Sequence, residues 1–272
     1  MAASRWRTQT PPQVDQGKSI TQAGFKITTH KLPISRAGPI EEMTERLGIT
    51  PPEMIFGDNS ISIEHMQSGW SINFNSFDAL DRVDKKGSSM LKVAHSKEWQ
   101  QTREHVHEDI KEVIKPFDWS YSTDYMGTTS SAPELTPSQK AIPIGLLTRP
   151  DPILFFDEVM LYEDELADNG IAMLSCKIRV MPERLLLLSR FFLRLDGVLF
   201  RIRDTRVFVE FETGEVIREY TAREEKYETI KSKLSYLKDE VTTVMRDPNK
   251  LAELMPVVEK KLDSLILSSG HS

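Results

Sequence analysis

Glu158-Val-Met-Leu-Tyr-Glu163 and Met173-Leu-Ser-Cys-Lys-Ile-Arg-Val-Met181 stand on either side of Asp168-Asn169-Gly170, and this arrangement decides the fold class. In the second run Leu174, Cys176, Ile178 and Val180 alternate with Lys177 and Arg179, the two-residue period of a strand with one buried face. A turn tripeptide ending in Asn-Gly between two such runs predicts an antiparallel hairpin. Phe191-Phe-Leu-Arg-Leu-Asp196-Gly197-Val-Leu-Phe-Arg-Ile202 repeats the theme around Asp-Gly. Arg203-Asp204-Thr205 is expected to turn or bulge the chain into Val207-Phe-Val-Glu-Phe211. The chain from Phe155 to Tyr220 is therefore strand-rich.

Outward from this block the pattern continues. Ile61-Ser-Ile63-Glu-His65 and Trp70-Ser-Ile72-Asn-Phe74 alternate across Gln67-Ser68-Gly69, a second hairpin. A short helix is expected from Pro39 to Leu47, closed by Gly48 and stopped by Pro51-Pro52. Another is expected around Phe77 to Leu80, capped by Asn75 or Ser76, and a third from Ser96 to Arg103. Phe117-Asp-Trp119-Ser-Tyr121-Ser-Thr-Asp-Tyr125 places aromatics at alternate positions and predicts a strand with one buried face. Residues 126–150, rich in Ser, Thr and Pro, read as a long loop. The region from Thr221 to Leu237 is dominated by Glu, Lys and Arg and reads as helix, and Asp247-Pro248 opens a further one. Residues 1–20 are nearly free of large aliphatics and read as a flexible leader before a single domain over 21–272. Together these elements predict an α+β fold: one domain with a mainly antiparallel sheet core flanked by helices.

The composition sets the function classes. At 272 residues, 39% hydrophobic and 28% charged, the chain is long enough and apolar enough to bury a core. Its net charge is -6 and its sequence pI about 5.6, which argues against nucleic acid as a partner. The six basic residues before position 40 face only Asp15, so the body is the more acidic part. Cys176 is the single cysteine and lies in an apolar run, so no internal disulfide forms and a reducing compartment is expected. The N-terminus does not read as a secretory signal, and Leu185 to Leu195 is broken by Arg190 and Arg194 and too short to cross a bilayer. A soluble, cytoplasmic protein is expected, with the nucleus as a second location.

Catalytic motifs are missing. No Gly-x-Gly pair, phosphate loop or Gly-x-Ser-x-Gly elbow occurs, so nucleotide and acyl-transfer chemistry lack their usual cradles. His105-Val-His107 with Glu104, Glu108 and Asp109 offers ligand types for zinc or manganese without a third ligand placed by spacing, and no metal or cofactor is expected. The acidic stretch from Asp157 to Glu165 could supply paired carboxylates for a hydrolase, the alternative to a binding protein; solvated strand ends are the favoured explanation, because nothing in the sequence marks a carboxyl whose burial would raise its pKa. Arg179, Arg184, Arg190, Arg194, Arg201, Arg203 and Arg206 thread the apolar region. Outward-facing positions are the default for them, and a cleft receiving a carboxylate or phosphate by bidentate hydrogen bonds is the functional reading.

Several long motifs are familiar. Pro52-Glu-Met-Ile-Phe-Gly-Asp-Asn59, Phe74-Asn-Ser-Phe-Asp-Ala-Leu80, Met90-Leu-Lys-Val-Ala94, the stretch from Glu112 to Tyr125, Lys177 to Pro182 and Arg190 to Leu199 resemble the TIPRL family, the TOR-signalling pathway regulator-like proteins. The resemblance runs from about Met54 to Arg223. It implies a non-enzymatic regulator that binds catalytic subunits of type 2A serine/threonine phosphatases and their type 4 and type 6 relatives, inhibiting them or controlling their assembly in TOR signalling. It further implies a link to the alpha-four/Tap-type phosphatase-binding protein, and a cleft for the phosphatase's C-terminal tail. Carried over residue by residue, Asp78, Ile202 and Asp204 stand where the family touches the phosphatase, and Arg206 and Tyr220 where the tail cleft lies.

Overall fold

The computed structural model describes residues 17–86, 117–130, 132–234 and 241–267. In chain order the strands are β1 (Lys18–Gln22), β2 (Phe25–His30), β3 (Met54–Ile55), β4 (Ser60–His65), β5 (Trp70–Asn75), β6 (Thr128–Thr129) and β7 (Thr136–Pro137). They continue with β8 (Phe155–Asp164), β9 (Gly170–Val180), β10 (Arg184–Leu195), β11 (Leu199–Glu210), β12 (Glu215–Lys226) and β13 (Val257–Ile266). The helices are α1 (Ala37–Leu47), α2 (Ser76–Asp81), α3 (Ile144–Leu147), α4 (Tyr227–Leu234), α5 (Val241–Val244) and α6 (Pro248–Leu254). The expected helix at 96–103 lies outside the described residues.

Two antiparallel sheets carry the α+β domain, a five-stranded one in the order β1-β2-β4-β5-β6 and an eight-stranded one in the order β3-β8-β9-β10-β11-β12-β13-β7. The small sheet packs on one face of the large one: Phe25, Ile27, Ile61, Ile63, Trp70 and Phe74 share a core with Val159, Cys176, Leu187, Phe191 and Val207. The opposite face is covered in two places. Helices α4 to α6 bury Phe192, Phe200 and Ile202, and the segment around α3 buries Phe208 and Ile217. Leu185 and Leu187 enter the shared core while Leu186 packs half-buried on the opposite face, so the run from Leu185 to Leu188 has no polar side. Each such side chain, fully buried, contributes about 1.5–3 kcal/mol to the fold.

Local chemistry fixes the ends. Asn75 caps α2 by accepting from the Asp78 amide at 2.9 Å, Gly48 closes α1 with φ of 67°, and Asp247 caps α6 ahead of Pro248. The hairpins at 60–75, 155–180 and 184–210 stand as read from the sequence.

Five expectations are corrected. Two strands precede Pro39, and β1 begins at Lys18, inside the stretch read as leader. Residues 117–125 form no strand: Tyr121 is left-handed at φ 55°, and the intervening Asp118, Ser120 and Ser122 are as buried as the aromatics. Asp118 accepts from the Ser120 amide (3.0 Å) and hydroxyl (2.5 Å), so local side-chain bonds replace a ladder. The 126–150 segment is not structureless, because β6 pairs with β5 at the edge of the small sheet and β7 with β13 at the edge of the large one. Residues 203–205 make no turn; β11 keeps register through them with both neighbours. Residues 221–226 are strand, since β12 pairs with β11 on one side and β13 on the other, and cross-strand partners override the helix-forming composition.

Candidate functional site

The hairpin of β10 and β11 is symmetric about Gly197, so Arg190 and Asp204, seven residues to either side, stand directly opposite. Their side chains point away from the small sheet. The Arg190 guanidinium donates from Nε to Asp204 Oδ1 and from Nη2 to Oδ2, both at 2.7 Å, and from Nη1 to Asn249 Oδ1 of α6 at 2.7 Å. Arg206 Nη2 lies 3.6 Å from Asp204 Oδ2 and its Nη1 donates to Glu219 at 3.2 Å, while Lys260 reaches the other Glu219 oxygen at 3.1 Å. A row of alternating charge therefore crosses four strands: Arg190, Asp204, Arg206, Glu219, Lys260. Arg206 and Lys260 are its open members, with 39% and 48% of their side chains exposed against 8% for Asp204.

Ile202 sits one step along the same face and is wholly buried under α4 to α6. Its side chain meets Phe192 and Phe200 rather than the surface, so its direct role is in the core. Tyr220 lies on the other face of the sheet, because it pairs with Thr205 and not with Asp204. It is buried, accepts from Arg203 at 3.2 Å, and has Lys261 Nζ 5.2 Å from its ring centre. Burial pushes the Tyr220 hydroxyl pKa up, and the Arg203 charge opposes that shift. Beside it, Arg82, Asp84, Asp118, Ser122, Asp124 and Arg203 line a polar groove of about 380 Å³. Arg201, next to two of these lining residues, donates to Ser122 (3.1 Å) and Glu224 (2.5 Å) and stands 3.6 Å from Asp118.

Asp78 opens α2, half-buried. Its Oδ2 accepts from Thr128 Oγ1 at 2.5 Å and from Asn75 Nδ2 at 2.8 Å; Oδ1 takes no hydrogen bond from the described residues. The link to the other sites is Tyr125, whose hydroxyl lies 2.9 Å from Thr128 Oγ1 and whose carbonyl accepts from Thr205 Oγ1 at 3.2 Å. Thr205 is the inward-facing residue between Asp204 and Arg206. The five residues singled out in the sequence thus occupy three places: the α2 start, the outer charged row with the core beneath it, and the inner groove. Tyr125, Thr128 and Thr205 connect them and were not singled out.

Arg190, Glu219 and Lys260 complete the row. The first pairing was within reach, since counting outward from Asp196-Gly197 sets Arg190 against Asp204. The last was not, because nothing in Val257-Val-Glu-Lys-Lys-Leu262 alternates cleanly enough to declare β13.

The acidic stretch of the hydrolase alternative is differently occupied. Asp157 accepts from Thr29 Oγ1 at 2.7 Å, and Asp164 accepts from the amides of Glu53 (2.9 Å) and Leu166 (2.7 Å). Glu158 is half-buried and paired with Lys177 at 3.0 Å. These carboxylates hold strands and turns. Cys176 is wholly buried and its thiol pKa is pushed up to about 12 by that burial, so it is no nucleophile. His105 and His107 lie outside the described residues; among the described residues no group of three or more His, Cys, Asp or Glu could hold a metal ion. Among the same residues no helix is long and apolar enough to cross a membrane.

Residues 54–231, from β3 into α4, match the TIP41-like family. The chain belongs to that family. It is 42% identical over 246 residues to a TIP41-like protein of Homo sapiens, covering 89% of this chain and 87% of that one. It is 41% identical over 271 residues to the type 2A phosphatase activator TIP41 of Saccharomyces cerevisiae, covering 92% and 75%. Against the type 2A phosphatase activator tip41 of Schizosaccharomyces pombe it is 33% identical over 245 residues, covering 89% and 96%. The TIP41-like match contains Asp78, Ile202, Asp204, Arg206 and Tyr220, whereas the pairing partners Asn249 and Lys260 lie beyond it.

Proposed function

We propose that this TIP41-like chain is a non-enzymatic regulator that binds the catalytic subunit of type 2A serine/threonine phosphatases and controls its activity or assembly. The observation that carries the reading is the fungal relatives' description as type 2A phosphatase activators at 33–41% identity across nine-tenths of this chain. The geometry agrees with a binding role. Charged side chains are held by one another on the sheet, which suits recognition of a complementary surface, and among the described residues the buried Cys176 and the occupied Asp157 and Asp164 serve structure.

Within the proposal, Asp78 and Arg206 are the contact residues. Each keeps polar atoms accessible within a fixed network, and each can pair with an opposite charge on the partner. Asp204 acts through Arg190 and Arg206 by holding the row in place, and Ile202 through the packing beneath it. Tyr220, Arg203 and Lys261 belong to the groove proposed for the phosphatase's C-terminal tail. The same mode extends to type 4 and type 6 relatives and to a complex with an alpha-four/Tap-type protein in TOR signalling, in the cytoplasm and nucleus.

Co-elution tests the reading: the purified chain and a purified type 2A catalytic subunit are mixed and run by size exclusion. A shifted peak holding both proteins is expected. Independent elution at micromolar concentrations of each would sink it.

A further inference from the structure

The residues that alternate with Asp118 and Ser120 line a second cavity, separate from the arginine groove. Phe117, Trp119 and Tyr121 form its aromatic side, Glu53 and Asp164 its acidic side, and Asn169 its rim, around about 560 Å³. This is the size of a site that takes a large side chain with its flanking peptide. No lysine, arginine or histidine is among its lining residues.

The polar groups of the wall are mostly spent. The Tyr121 hydroxyl donates to the Thr50 and Pro51 carbonyls, both at 3.1 Å, and the Asn169 amide donates to the Leu166 and Ala167 carbonyls at 3.0 and 2.8 Å. Asp164 accepts two backbone amides and no cation among the described residues. Glu53 is exposed, and its carboxylate has no ion pair among them. The wall therefore offers aromatic surface and negative charge with no compensating cation among the described residues. The charge is felt inside: Asp164 and Glu53 add to the burial that raises the Tyr121 hydroxyl pKa.

We propose that this cavity receives an arginine side chain presented by an extended peptide of a partner protein. A guanidinium is flat, weakly hydrated and permanently charged, so it lies against aromatic surface while forking onto a carboxylate such as Glu53. The chain makes one such contact internally, where the Arg46 guanidinium carbon stands 4.0 Å over the Phe77 ring centre. This site is independent of the proposed phosphatase surface, and its test needs no phosphatase.

The test uses the intact protein labelled with ¹⁵N. The Trp119 indole N–H resonance is assigned with Trp119→Phe and followed during titration with N-acetyl-arginine N-methylamide. The expected result is a saturating shift with a Kd on the order of 1 mM, as befits a single side chain. Glu53→Gln, at an exposed position, should weaken it about three- to tenfold, and the uncharged isostere N-acetyl-citrulline N-methylamide should not saturate. Any of three results overturns the proposal: no shift with the arginine probe, equal binding of the citrulline probe, or unchanged affinity in Glu53→Gln. Equal binding of N-acetyl-lysine N-methylamide would overturn the assignment to arginine.

Discussion

Replacing Asp204 by alanine isolates the charged row from everything around it. Arg190 is 12% exposed and Asp204 8%, so the pair is largely desolvated, and two 2.7 Å bonds join them in the bidentate geometry that favours guanidinium and carboxylate. Removing the carboxylate leaves Arg190 with Asn249 alone and sets it beside Arg206, whose charge Asp204 also balances. Breaking a buried pair from one side costs about 3–5 kcal/mol; the residual exposure and the Asn249 bond place this case near 3. For a chain of this size that corresponds to a fall in Tm of roughly 6–12 °C. Asp204→Asn keeps the shape and one acceptor, and should cost about half as much. The double variant Arg190→Met with Asp204→Leu removes both charges and should recover at least about 2 kcal/mol relative to the sum of its singles. Urea titrations with the slope held common would measure wild type, these three variants and the singles Arg190→Met and Asp204→Leu. A single Asp204→Ala within about 0.5 kcal/mol of wild type would refute the reasoning, because that is the behaviour of a solvated surface pair.

Other consequences are accessible to simple measurements. His65 is buried against Phe25 with its ring centre 4.7 Å away, and burial lowers its pKa, so the native state binds fewer protons than the unfolded one. Its contribution to stability is therefore full above the ordinary pKa of 6.5 and is lost as pH falls below it; His65→Gln should flatten the urea midpoint between pH 7 and 5, and an unchanged slope would contradict this. Gly127 has φ of 86°, and a Cβ there would meet Phe74 Cζ at 2.7 Å and Ile72 at 2.9 Å, so Gly127→Ala should cost about 1–3 kcal/mol by thermal melt. Native Cys176 should react with a thiol reagent only at the rate of unfolding, and prompt modification in buffer would show the strand to be open.

The large sheet was legible because its hairpins announce themselves. Asp168-Asn169-Gly170 and Asp196-Gly197 sit between runs with period two, and strand register follows from the turn. The edges were not, for two different reasons. β1 begins inside the stretch 1–20 read for its scarcity of aliphatics, and β2 follows it in a stretch given no element, although Phe25, Ile27 and Thr29 alternate just after Ala23-Gly24. β13 is amphipathic only in the company of β12 and carries Glu259, Lys260 and Lys261 in succession. Residues 117–125 misled by mimicry: a buried irregular segment can alternate aromatic and polar residues when the polar ones bond to each other. At the site, the sequence placed Asp204 and Arg206 in one motif but could not show that Tyr220 faces the other way, since that depends on which residue of β12 pairs with Thr205.

The central claim is that Asp78 and Arg206 form part of a phosphatase-binding surface on an otherwise intact fold. Titration calorimetry of a purified type 2A catalytic subunit with wild type, Asp78→Leu and Arg206→Gln, each checked by thermal melt, tests it most directly. Truncating one side of a desolvated polar contact typically costs about 2–5 kcal/mol of binding, so each variant should lose at least about 30-fold in affinity while its Tm stays within a few degrees of wild type. Wild-type affinity in both variants would contradict the account.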